Sequence, residues 1–484
     1  MRGDGALHSP AEALQGRGRQ KEPDASPQMS IPPGPSGPGW LQSSQWMFRP
    51  IEFMERCRER YGRIFTLRLG PKHNVTMVAD PLLAKEVMAG NPAVFRAGDT
   101  NGLFRPVVGG NSILLLDGDA HMRQRKILLK GFGASHGAQF VDQVREITQQ
   151  RLRTWKVGDR LRLQDEMEAI SFASIMRVVF GDHATDSYAE LRRLIPDMMD
   201  RCDSPFTLMP WFRRELAGGS PYARLMKVLD EIDAILYDTI AERRADPMTQ
   251  LRDDTLSLLL RAEHEDGSPL DDQEVRDEVL TMVMAGYETT TSGGAWALER
   301  LLRSPEKLER LTAEVEAGED DSYLDAVVKE TLRARPVVPV VARHLAESIE
   351  LDGYVIPAGS TVMVSIYLVH NDEETYPEPK EFRPERFLGG TPEGAAWIPF
   401  GGGVRRCIGA RFAELEMKVV LTQVLTTARL RALGRSEEGA KRKRFTLAPE
   451  GGAAAVVEEL ISPQTALGSG RFRRRAPRPA ARPA

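Results

Sequence analysis

The sequence predicts a mainly α domain with a minor β-sheet, and three observations carry that expectation. From PLLAKEVM, at residue 81, to about residue 330, the apolar spacing is helical almost throughout, with polar loops between segments. Strand signals are confined to IFTLRLGPKHNVTMVAD (64–80) and IELDGYVIPAGSTVMVSI (349–366), the latter turning at Asp352-Gly353. Between residues 50 and 460 no Pro/Gly/Ser-rich linker interrupts the chain, so its 484 residues are expected to form one large domain.

Taken in order, residues 1–30 read as a flexible N-terminal extension, followed by the proline-rich PPGPSGPG at 32–39. IEFMERCRERYG (51–62) is a helix, and the first strand pair follows it. The longest helix candidate is LDDQEVRDEVLTMVMAGYETTTSGGAWALERLLRSP. Asp271 and Glu274 have capping-box spacing at its start, and Ser304-Pro305 marks its end. About thirty residues at 1.5 Å each would cross a whole domain. Its middle, AGYETTTSGG, puts small and β-branched residues where strong helix formers belong, so either something presses on that face or the helix is locally distorted there. The domain is expected over 31–462 and a disordered Arg/Pro-rich tail over 463–484.

Composition narrows the function. With 41% hydrophobic and 28% charged residues, the chain is an ordinary soluble globular protein by content. The net charge of −4 hides a tail, GRFRRRAPRPAARPA, with six arginines and no acid, read as a solvated segment and not as a nucleic-acid arm. Cysteines at 57, 202 and 407 give no disulfide framework and suit a reducing cytoplasm. No run of about 18 apolar residues is present, and the start lacks the apolar core of a signal peptide, so no transmembrane anchor is expected.

FGGGVRRCIGARFAELE (400–416) gives Cys407 unusual company. Ile408, Phe412, Leu415 and Val419 form a helical stripe after it, which puts the thiol at a helix N-terminus, where N–H groups favour a thiolate. Gly401, Gly402, Gly403 and Gly409 permit close approach of a flat partner, and Arg405 would reach for a carboxylate on it. A metal macrocycle with acidic substituents meets these demands. Zinc does not, since no second Cys or His lies at ligand spacing.

Phe400, Gly403, Arg405, Cys407 and Gly409, in the order F-x-x-G-x-R-x-C-x-G, resemble the haem-binding loop of the cytochrome P-450 family, and the likeness extends over roughly residues 31–460. KETLR supplies Glu330 and Arg333 in the family's E-x-x-R spacing. PERF supplies Arg386, and the resemblance implies a buried structural cluster of the three. It also implies that His121, Arg125, Arg343 and Arg405 hold the propionates of haem b, with Phe400 and Gly409 against the ring and Cys407 on the iron. AGYETT matches the central-helix motif, which implies an acid–alcohol proton relay through Glu288 and Thr289, and room for oxygen and substrate over Ala285 and Gly286.

The implied fold sets haem between the long central helix and the Cys407 loop. Leu103, Phe104, Ala285, Val338 and Val340 are the expected substrate pocket, with Phe206, Met209 and Trp211 as a lid. The implied activity inserts one oxygen atom from dioxygen into an apolar small-molecule substrate. Electrons would come from a separate ferredoxin or flavodoxin to a cytoplasmic monomer. Two other readings stay open from sequence: a haem-thiolate isomerase, dehydratase or peroxygenase needing no external electrons, and a haem-binding sensor without turnover. Relatives of the first kind often lose the acid–alcohol pair present here.

Overall fold

A computed structural model describes residues 31–70, 74–131, 137–181, 186–203, 219–390 and 396–461. The extension 1–30, the tail 463–484 and the lid candidates Phe206, Met209 and Trp211 lie outside the described residues. The chain enters through α1 (Gly39–Phe48) and α2 (Pro50–Tyr61), and β1 (Ile64–Arg68) and β2 (Asn74–Val78) form the expected antiparallel pair, Phe65 opposite Met77. After α3 (Pro81–Ala89), which Asp80 caps, come β3 (Phe95–Arg96), a 3-10 turn over Asp99–Phe104 and α4 (Arg105–Val108). The helical bulk follows: α5 (Gly118–Gly131), α6 (Gly137–Leu152), then β4 (Arg160–Arg162), α7 (Leu163–Phe180), α8 (Asp186–Cys202), α9 (Pro221–Ala245) and α10 (Thr255–Leu260).

The long helix forms as α11 (Asp272–Leu302), and its expected capping box is present: Asp271 accepts from Glu274 N while the Glu274 carboxylate accepts from Asp271 N. Next come α12 (Pro305–Ala317) and α13 (Ser322–Ala334). The second strand region yields β5 (Val340–Leu345), the hairpin β6 (Ile349–Leu351) and β7 (Tyr354–Ile356), and β8 (Thr361–Ser365). Asp352 and Gly353 turn that hairpin with φ of 54° and 76°, the left-handed pair that such a two-residue turn requires. The chain then runs through α14 (Ile366–His370), α15 (Ala410–Thr427), β9 (Ala428–Ala432), β10 (Ala440–Lys443), β11 (Thr446–Pro449) and β12 (Ala454–Leu460). The main sheet has the order β1-β2-β8-β5-β3, antiparallel except where β2 and β8 run parallel, and β4-β12-β9 form a smaller one.

Two apolar clusters meet along α11. Its first half, Val275 to Tyr287, buries into a cluster with residues of α7, α8 and α9, and Ala295 to Leu301 bury into a second with α13 and α15. From Val275 to Leu301 every residue is buried except Ala285, Gly286 and Thr289. The glycines of AGYETTTSGG answer what presses on the helix. A Cβ on Gly286 would lie 2.5 Å from Ile175 Cδ1 of α7, and one on Gly294 would lie 2.5 Å from the Met167 sulfur. Gly286 therefore permits close contact between helices, and with Ala285 it is left unburied.

Candidate functional site

The Cys407 loop is built against α3. Gly401 and Gly403 take φ of 69° and 61°, and a Cβ on Gly403 would lie 2.0 Å from Met88 O, so no other residue fits there. Here the glycine run lets the loop approach Met88, whereas at Gly409 nothing beyond its own chain neighbours lies within 4 Å of where a Cβ would stand. Cys407 N donates to Phe400 O at 3.0 Å and closes the loop, and Phe400 packs edge-on to Trp397. The side chain of Cys407 is open to solvent, whereas Cys57 and Cys202 are buried. Protein still crowds the Cys407 thiol, and that desolvation pushes its pKa up. The N–H groups of Gly409 and Ala410, at the start of α15, pull the other way.

A positive cluster gathers beside the thiol. His121 and Arg125 sit one turn apart on α5, Arg343 on β5 and Arg405 in the loop, and His121 feels the charge of all three arginines. Burial first, then Arg405 and Arg125, lower His121 to about 4, so it is neutral at neutral pH. Burial, then repulsion from Arg405, lowers Arg343 to about 10. Burial also lowers Arg125, opposed by the nearby Cys407 thiolate. One residue absent from the sequence reading belongs here: the Asp117 carboxylate is ion-paired with Arg405.

This donor set suits haem. An open thiol at a helix N-terminus, Cβ-free space at Gly409 and a net-positive cluster match a flat iron macrocycle with two carboxylates. Cys407 would hold the iron, and Arg125, Arg343, His121 and Arg405 would surround the carboxylates. Among the described residues no group of three or more His, Cys, Asp or Glu is arranged to hold a metal ion directly.

On α11, Ala285 and Thr289 lie one turn apart on the unburied stripe, and Thr289 Oγ1 donates to Ala285 O at 2.8 Å. Glu288 points elsewhere. Successive side chains leave a helix about 100° apart, and Glu288 is buried behind the stripe. Its Oε2 accepts from Arg444 Nη1 at 2.9 Å and its Oε1 from Thr446 Oγ1 at 3.2 Å. Burial pushes the Glu288 carboxyl up, and Arg444 opposes that shift. The two relay candidates are thus adjacent in sequence but hydrogen-bonded to different partners. Arg444, at the tip of the β10–β11 hairpin with φ 52°, also reaches Tyr287, Glu168 and Asp200.

Of the expected pocket, Leu103 is exposed and Ala285 open, while Phe104, Val338 and Val340 are half-buried. Phe104 meets Phe445 edge to face at 4.7 Å. No sequence signal pointed to Phe445, because its strand pair carries no apolar alternation. The structural cluster closes behind the site. Glu330 and Arg333 are fully buried, joined at 2.6 and 2.9 Å, with Arg386 Nε at 3.6 Å from Glu330. Arg333 also donates to the carbonyls of His370 and Glu381, and Arg383 N donates to Glu330.

The fold and this site define a haem-thiolate oxidoreductase. The model of the cytochrome P450 family matches residues 32–453, and the chain belongs to that family as a monooxygenase. It is 37% identical over 452 residues to a protein of Mycobacterium tuberculosis named for cytochrome P450 135B1, covering 91% of this chain and 95% of that one. It is 33% identical over 434 residues to one named for cytochrome P450 138 from the same organism, covering 90% and 97%. In fold it resembles a cyanobacterial CYP120A1 with retinoic acid bound, with a TM-score of 0.78 at 24% identity, covering 90% of this chain and all of that one. Among the described residues no helix is long and apolar enough to cross a membrane.

Proposed function

We propose that this monooxygenase uses dioxygen to oxidise an apolar small molecule, with Cys407 on the haem iron and electrons from a separate ferredoxin or flavodoxin. The carrying observation is the window in α11: over 27 otherwise buried positions only Ala285, Gly286 and Thr289 are unburied. Haem bound at Cys407 supplies the activation of dioxygen and the transfer of one oxygen atom, chemistry that no side chain provides. The chain supplies the rest. The Gly409 and Ala410 N–H groups favour the Cys407 thiolate. Leu103, Phe104, Val338 and Val340 present apolar surface that excludes water from the window. Thr289 Oγ1 holds and hands on a proton there, and Glu288 feeds it once its carboxyl leaves Arg444.

Thr289→Ala tests this reading, because it removes the hydroxyl and little volume. A spectral screen for apolar molecules that displace water from the ferric haem first supplies a substrate. The variant is then expected to keep its haem and thiolate spectrum, consume electrons and oxygen, and release peroxide in place of product. An unchanged peroxide-to-product ratio would show that Thr289 only packs. Wild type that turns over with peroxide but never with dioxygen and a donor would remove the dioxygen-dependent part of the proposal.

A further inference from the structure

Arg405 already has three protein partners. Its Nη1 donates to Ile113 O at 3.1 Å, and its Nη2 reaches Leu116 O and the Asp117 carboxylate. Asp117 in turn gathers the start of the stretch that carries Leu103 and Phe104. Its Oδ1 accepts from Ala97 N and Gly98 N, both at 3.0 Å, and its Oδ2 from Asp99 N at 3.3 Å. Packing there is close: a Cβ on Gly98 would lie 2.3 Å from Leu115 O and 2.7 Å from Asp117 Oδ2. The far end of the same stretch is tied to α11, where Asp277 accepts from Asn111 N at 3.0 Å and Glu278 from Ile113 N at 2.7 Å.

Charge supports the same picture. Arg125, Arg343 and Arg405 bring three positive charges and Asp117 one negative, while His121 is neutral at neutral pH. The remaining two positive charges match the two carboxylates of haem, and loss of Asp117 would leave one cation in excess. We propose that Asp117 is a positioning residue that holds Arg405 in place, so that the Cys407 loop and the stretch 97–117 are held as one unit beside the place where Arg125, Arg343 and Arg405 would meet the haem carboxylates. The inference rests on haem binding at Cys407.

Hydrogen exchange on the holoenzyme and haem transfer to excess apomyoglobin test it, using Asp117→Asn, Arg405→Gln and the double variant. The thiolate band of the ferrous carbonyl complex checks haem ligation separately. Its absence in wild type would defeat the underlying reading, and its presence leaves Asp117 to be judged alone. In wild type the amides of Ala97, Gly98 and Asp99 are expected to be protected. Asp117→Asn should cost them about 10-fold or more in protection and speed haem loss by a similar factor, as expected for hydrogen bonds to a charged group. The midpoint potential should move positive, because a negative charge has left, which a purely packing role would not produce. The double variant should be no worse than the worse single one, since one pair is broken once. If Asp117→Asn takes up no haem, Asp117→Glu, which keeps the charge but displaces it, should load haem and still lose protection at 97–99. Unprotected amides in wild type, protection that survives either Asp117 variant, or additive losses in the double variant would overturn the proposal.

Discussion

Cys407 differs from Cys57 and Cys202 in its surroundings. Burial pushes Cys57 to about 11 and Cys202 to about 12, so neither forms a thiolate near neutral pH. Cys407→Ala is expected to abolish the red-shifted ferrous carbonyl band, while Cys57→Ala and Cys202→Ala leave it unchanged. A second residue-level prediction concerns Glu416, buried on α15, where among the described residues only the Ser171 hydroxyl donates to it, at 2.6 Å. Burial pushes its carboxyl to about 7. The native state therefore holds this proton more tightly than the unfolded chain, whose Glu titrates near 4.3. Stability linked to Glu416 is complete below that lower value, falls as pH rises, and is flat above about 7. Glu416→Gln should raise stability relative to wild type at pH 8, by on the order of 3 kcal/mol, and far less at pH 5. Denaturant melts at the two pH values check this, and an equal effect at both would contradict the burial. Cys407 was legible because its glycines and arginine are contiguous with it. Asp117 and Arg444 were not, because Asp117 lies 288 residues from Arg405 and Arg444 lies 156 from Glu288.

At the scale of elements, α11 was read with its capping box intact, because cap signals and apolar spacing are local. What its small residues do was read only in part. Their spacing announces a pressed face, but only packing shows that Ile175 and Met167 press on it. Strands β9 to β12 went unread, since AKRK (440–443) carries charge in place of alternation and forms a hairpin with β11, while β12 owes its form to pairing with β9 and the distant β4. The Glu330 cluster shows the opposite case, where local spacing carried a tertiary fact. It joins α13 to the turn at Pro384–Phe387 and to His370 at the end of α14. Glu330→Ala leaves Arg333 buried without its partner and should cost about 3–5 kcal/mol. The variant is expected to yield little folded, haem-loaded protein. A well-folded, haem-replete Glu330→Ala would mean that the carbonyls of His370 and Glu381 suffice for Arg333.

At the scale of the whole molecule, α5 divides its cations between two faces. His121 and Arg125 turn toward the cluster beside Cys407, whereas Arg123, Lys126 and Lys130, spaced by three and four, are exposed on the opposite stripe. Arg411 is exposed near the start of α15, which follows the cysteine loop. The thiol's side of the protein thus carries a basic surface, while the chain as a whole is net acidic at −4. An acidic electron donor would be drawn to that face, and electron entry there would be a short route to an iron held by Cys407. Attraction between exposed charges is screened over about 8–10 Å at moderate salt. Reduction by ferredoxin or flavodoxin should therefore slow as ionic strength rises, with the effect in association rather than in the haem itself. Lys126→Glu should lower that rate at low salt and flatten its salt dependence, yet leave haem content, the thiolate carbonyl band and reduction by dithionite as in wild type. Dithionite needs no docking, so it separates a docking defect from a damaged haem site. A donor-driven rate that ignores salt, or a Lys126→Glu variant with the wild-type salt slope, would place electron entry elsewhere and leave this stripe as a solvated face.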